Sequence, residues 1–124
     1  MLLKILFLGI SVTGTVATNL YVSSYMGNIT SLSLTKLGPY YTLEAVSTNL
    51  GCAPNPSWLE LDKSVEILYC LDEGLTVPNG SLSSYSLSTD GTLTQLARVT
   101  TISGPVNSVI YGPDNGMRAI ALAH

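Results

Sequence analysis

The chain has 124 residues, 46% of them apolar and only 10% charged, with a formal net charge of −3. That length suits one small domain with a modest core, and Ser and Thr take the surface role that charged residues fill in an average soluble domain, where roughly 25% are charged. The five basic residues are scattered singly, which excludes a nucleic-acid interface built on clustered Lys and Arg and leaves no patch for an anionic membrane surface.

At the N-terminus, Lys4 precedes the apolar run Ile5-Leu6-Phe7-Leu8-Gly9-Ile10, and Thr15-Val16-Ala17 supplies small residues. This reads as a secretion signal over residues 1–17, cleaved near Ala17–Thr18. A membrane anchor or a first strand is the alternative, but a spanning helix needs about 20 apolar residues, and Ser11, Thr13, Gly14 and Thr15 interrupt the run. Loss of Lys4 leaves four basic against eight acidic residues, a net charge of −4. The expected product is secreted and extracellular, with no membrane contact once the signal is gone. Cys52 and Cys70 form an even count compatible with a disulfide. A bridge between them would close a loop of about 19 residues and contribute roughly 3 kcal/mol. A buried free thiol at Cys70 is the other reading, and the sequence leaves both open. Asn28-Ile29-Thr30 and Asn79-Gly80-Ser81 are glycosylation sequons.

Past the signal, Leu20 to Tyr25 is a strand of β-branched and aromatic residues, followed by a turn at Met26 to Asn28. Ile29 to Thr35 alternates, Gly38-Pro39 breaks the chain, and Tyr41 to Ser47 makes a third strand. Asn49 to Pro56 is a loop. Strands follow at Ser57 to Leu61 and Glu66 to Leu71, around a polar turn at Asp62 to Ser64. The second of these has apolar residues on both faces, as in a strand covered on both sides. Ser81 to Leu87 alternates like Ile29 to Thr35. The Asp90-Gly91 pair predicts a tight hairpin turn before the strand Leu93 to Thr101. Val106 to Tyr111 and Met117 to Ala123 close the chain.

These strands repeat. Leu61 pairs with Tyr111 and Ile67 with Met117 without a gap, Tyr21 precedes Tyr69 by 48 residues, and Leu32 precedes Tyr85 by 53. No helical periodicity of useful length appears outside the signal. Four antiparallel strands recurring every ~50 residues indicate an all-β chain of β-propeller blades, in preference to a single β-sandwich. Blade 1 spans 20–48 and lacks one strand, blade 2 spans 57–101, and blade 3 begins at 106–124. A ring needs about four to eight blades, so the chain reads as a fragment with sheet faces exposed where further blades belong.

Candidate functional residues sit at strand ends. Asp72 and Glu73 follow a buried strand where loops line a propeller mouth, and such a pair suits a base or a substrate ligand; a solvated loop start or a turn cap is the plain alternative. His124 occupies the matching strand end of the next unit. Arg98 and Arg118 are candidates for an anionic substrate, although exposed strand positions explain them more simply. Trp58 reads as core packing. The chain has no Cys/His metal cluster, no phosphate-cradling Gly-rich loop and no Gly-x-Ser-x-Gly elbow, so no metal or cofactor is expected. No residue pattern specifies an oligomeric state.

Asn55-Pro56-Ser57-Trp58-Leu59-Glu60-Leu61-Asp62, Leu68 to Gly74, Gly80 to Leu87 and the turn and strand from Thr89 to Leu96 resemble the lactonase family with a seven-bladed β-propeller. That family includes 6-phosphogluconolactonase-like proteins and a carboxy-muconate cyclase. The resemblance covers most of Leu20 to His124 and about the first third of a full member, and it implies that the first strand of blade 1 comes from the far end of the complete protein. It also implies hydrolysis of a sugar lactone or, in the cyclase branch, reversible lactonisation of a muconate, with a small-molecule lactone or sugar-acid partner and no redox cofactor. The His, Glu and Arg residues proposed for the family's site lie mostly in later blades, so this chain alone is expected to be inactive. A propeller that only binds its partner is the competing reading, since fold does not fix function.

Overall fold

The computed structural model describes residues 16–113 and 115–124. The described residues form nine strands: β1 (Val16–Ser24), β2 (Asn28–Leu37), β3 (Tyr40–Asn49), β4 (Pro56–Asp62), β5 (Ile67–Asp72), β6 (Ser81–Leu87), β7 (Leu93–Thr100), β8 (Asn107–Tyr111) and β9 (Ala119–Ala123). They make three antiparallel sheets in chain order, β1-β2-β3, β4-β5-β6-β7 and β8-β9. Strand β4 touches β1 on one side and β8 on the other, so the sheets stand side by side. Residues 1–15 of the expected signal lie outside the described residues. Val16 and Ala17 are already in β1, paired with Lys36 and Thr35.

The core lies between the first two sheets. Ile29, Leu68, Cys70 and Tyr85 are buried together with Cys52, and Tyr21, Leu59, Leu87 and Leu93 pack around them. Each large apolar side chain sealed in this way contributes about 1.5–3 kcal/mol. Strand β5 supplies Leu68, Cys70, Leu71 and Asp72, all buried, because it is an inner strand of its sheet and both its faces are covered. Cys52 and Cys70 are joined by a disulfide with their Cα atoms 5.9 Å apart. The bridge fastens the loop 50–55, which links the first sheet to the second, onto the centre of the second. Trp58 does not join this core. It is 37% exposed, because alternation along β4 turns Leu59 toward the core and Trp58 away from it, and its indole N–H donates to Glu60 at 2.9 Å.

The repeat is visible in the strand pairing itself. Between β2 and β3 the register shifts after Ser31, so that Val46 is skipped; between β6 and β7 it shifts after Ser84, so that Leu96 is skipped. The same β-bulge thus stands at the same place in two sheets, and it equates Leu32 with Tyr85. Leu20 pairs with Leu32 and Leu68 with Tyr85, which equates Leu20 with Leu68 across 48 residues. One alignment is corrected. Leu61 pairs with Leu68, but Tyr111 pairs with Ala119. The chain from Tyr111 to its partner is therefore one residue longer than the chain from Leu61 to its partner, and the gap-free match does not survive it. The correction places His124 opposite Glu73.

Turn chemistry explains two further departures. The Asp90-Gly91 pair sits in a five-residue connection, not a two-residue hairpin, because the Asp90 carboxylate accepts the Thr92 N–H at 3.0 Å and the Thr92 hydroxyl at 2.8 Å. The β4–β5 turn covers residues 63–66 and leaves Glu66 at φ 54°. Before it, buried Asp62 accepts the Ser64 N–H at 3.0 Å and the Ser64 hydroxyl at 2.6 Å, and it pairs with Arg118 at 2.5 Å. On the outward faces Tyr40, Tyr41 and Leu43 of β3 and Val109 and Tyr111 of β8 are exposed.

Two outcomes follow for stability. Replacing Cys52 and Cys70 by Ser should lower the unfolding free energy by about 3 kcal/mol, read by denaturant titration under oxidising conditions. The Ser64 hydroxyl and amide, with Arg118, hold the Asp62 carboxyl below its ordinary value of 3.8, and the Thr92 amide and hydroxyl do the same for Asp90. A depressed folded-state value stabilises above the ordinary value and is lost as pH falls through the depressed one. Acid titration of Asp62→Asn and Asp90→Asn should therefore show a shallower loss of stability below pH 3.8 than the parent chain shows.

Candidate functional site

Antiparallel order brings one set of connections to the same end of the sheets: the β1–β2 turn at 25–27, the loops 50–55, 73–80 and 101–106, and His124. Main-chain hydrogen bonds stitch this end together. The Glu73 N–H donates to the Asn55 carbonyl, the Gly104 N–H to the Glu73 carbonyl and the Gly80 N–H to the Ile102 carbonyl, each at 3.0 Å; the Val106 N–H reaches the Ala123 carbonyl at 2.9 Å.

The two adjacent carboxylates point to opposite sides, as successive residues leaving a strand do. Asp72 is 1% exposed. Its carboxylate accepts the Asn55 N–H at 2.8 Å and the Ser81 hydroxyl at 3.3 Å, so it joins the entry of β4, the end of β5 and the start of β6. Its oxygens are committed to protein donors, which makes Asp72 a structural clamp. Glu73 is half-buried and faces the open end. It accepts the Tyr25 hydroxyl at 2.9 Å, and this hydrogen bond is the main reason the Tyr25 hydroxyl titrates above its ordinary 10.0. Tyr25 therefore stays protonated and serves as a donor.

Tyr25, Glu73 and His124 are the first residues after β1, β5 and β9. The strand registers make them equivalent: Ser24 pairs with Asn28 as Asp72 pairs with Ser81, and Ala123 pairs with Asn107 as Asp72 pairs with Pro56. They form an arc across three successive sheets. Gly104 joins its last two members. Its N–H holds the Glu73 carbonyl, its φ is +69°, and a Cβ there would stand 3.1 Å from His124 Nε2. Any other residue would be strained in its backbone and pressed against the imidazole. The arc thus offers a hydroxyl donor, a carboxylate and an imidazole at one rim, groups able to orient a hydroxylated substrate and move a proton.

The two arginines hold protein groups at opposite ends of the sheets. Arg98 of β7 donates to the Ser83 hydroxyl at 2.9 Å and to the Gly51 carbonyl, securing the loop 50–55 from the outer strand. Arg118 holds Asp62 at the opposite end, beside a cavity of about 500 Å³ lined by the β4–β5 turn and Ile110. Among the described residues no three His, Cys, Asp or Glu side chains gather as metal ligands. Sequence reading passed over Tyr25 and Gly104. Tyr25 looked like the last residue of a strand, although counting 48 back from Glu73 lands on it.

The family described as "Lactonase, 7-bladed beta-propeller" matches residues 19–124. A protein named "Probable 6-phosphogluconolactonase" from Arthroderma benhamiae (strain ATCC MYA-4681 / CBS 112371) is 34% identical over 107 residues. That alignment covers 85% of this chain and 26% of the relative, so the chain spans about a quarter of the length of the relative it matches. No solved structure matches it. With successive antiparallel sheets, a bulge shared by the first two and a family match over nearly all of the described residues, the chain belongs to the lactonase family with a seven-bladed β-propeller.

Proposed function

We propose that the protein containing these blades is a secreted hydrolase that opens the lactone of a sugar acid. The observation that carries this reading is the arc of Tyr25, Glu73 and His124 at equivalent strand ends, in a chain of the lactonase family. The name of the relative, a probable 6-phosphogluconolactonase, supports a sugar-acid lactone as the substrate class.

In this reading the lactone lies across the rim. Glu73, one oxygen held by Tyr25, accepts hydroxyl groups of the sugar with its other. The His124 imidazole takes a proton from water as the water oxygen adds to the lactone carbonyl. The tetrahedral intermediate then expels the ring oxygen, which receives that proton as the carbon–oxygen bond breaks. The product is the open hydroxy acid, and no electron is gained or lost. Asp72 takes no part beyond holding the backbone that carries Glu73. The rim is open on the sides of the sheets β1-β2-β3 and β8-β9, so substrate contacts must be completed by further blades, and the chain by itself is expected to be inactive. The disulfide and the apolar N-terminal run favour secretion.

The test is an assay of the full-length protein on phosphorylated and unphosphorylated sugar lactones and on muconate lactones. A sugar lactone should be hydrolysed. Glu73→Gln and His124→Ala should each lower kcat/KM by roughly 10²–10⁴ with unchanged thermal unfolding. Turnover of a muconate lactone alone would move the protein to the cyclase branch. Binding without turnover would make it a binding platform, and neither binding nor turnover would sink the reading.

A further inference from the structure

The two sequons differ in the folded chain. Asn28 is half-buried at the first position of β2, paired with Ser24 across a tight turn. Its side-chain amide donates to the hydroxyl of Thr30, the third residue of its own sequon, at 3.2 Å. Asn79 is exposed in the loop 73–80, and among the described residues its side chain makes no hydrogen bond.

The loop around Asn79 is rigid where it needs to be. The Val77 N–H donates to the Gly74 carbonyl at 3.1 Å, and the Gly80 N–H donates to the Ile102 carbonyl at 3.0 Å. Gly74, at φ +69°, lies so close to the Asn79 carbonyl that a Cβ there would stand 2.3 Å from it. The backbone of Asn79 is thereby pinned against the sheet while its side chain projects into solvent. A bulky hydrophilic group fits only such a site.

We infer that the protein carries an N-linked glycan on Asn79 and none on Asn28, so that a sugar chain stands beside the rim that bears Tyr25 and Glu73. The inference rests on the proposed entry into the secretory pathway. It also answers a feature of the surface: with 10% charged residues, the chain has few of the groups that usually keep a secreted protein dispersed, and a glycan supplies that hydration.

The full-length protein is expressed in a secreting eukaryotic host, once behind its own N-terminus and once behind a leader of the host. Secreted protein from either arm is treated with a peptide N-glycosidase and mapped by mass spectrometry. The expected result is conversion of Asn79 to Asp on enzyme treatment, and a single mobility shift that is lost in Asn79→Gln and retained in Asn28→Gln. Secreted protein with Asn79 unmodified, or with the glycan on Asn28, overturns the inference. If only the host leader delivers protein to the medium, the secretion reading fails, and the Asn79 result from that arm still decides the glycan.

Discussion

One buried carboxylate holds the candidate site in place. Asp72 is almost fully removed from water, and a charge in that position is tolerated only when its lone pairs are met by donors. The Asn55 amide and the Ser81 hydroxyl meet them. These two donors come from the segments before β4 and at the start of β6, so satisfying one side chain at the end of β5 fixes the relative placement of β4, β5 and β6. Glu73 is carried on that fixed backbone. The division of labour between two neighbouring acids follows from the pleat: one faces in and holds, the other faces out and is available.

The arc across three sheets is a product of repetition. Each unit ends its equivalent strand at the same height, and the next residue emerges at the same rim. The repeat sets the position but not the chemistry, so Tyr25, Glu73 and His124 present three different groups from one backbone geometry. Gly104 shows how closely the rim is packed: its backbone is left-handed, its amide holds a carbonyl, and a Cβ there would stand 3.1 Å from the His124 imidazole. The opposite end of the sheets has its own ion pair, Asp62 with Arg118.

Much of the fold was legible because strand spacing is a physical count. The 48- and 53-residue separations reappear as strand registers, and the alternation of Ser81 to Leu87 marks the strand it becomes. Less legible was whatever depends on partners distant in sequence. The apolar and polar residues around Asp62 gave no sign that the chain from Tyr111 to its partner is one residue longer, so His124 was matched one position away from its counterpart. Trp58 was read as core from its hydrophobicity, yet its direction was set by Leu59 facing the disulfide. Asp72 and Glu73 looked like a pair, since sequence does not reveal that the Asn55 amide waits for one of them. Tyr25 was hidden because its significance depends on a hydrogen bond across 48 residues.

The disulfide also bears on the order of assembly. Cys52 and Cys70 are separated by 18 residues, and everything the bridge needs has been synthesised once β5 has emerged. The two cysteines lie close along the chain, and domains tend to fold from the N-terminus as synthesis proceeds. The second sheet can therefore be locked to the first before β8 and β9 exist. Later blades then add to an edge whose shape is already set, and the ring grows from a covalently fixed seed.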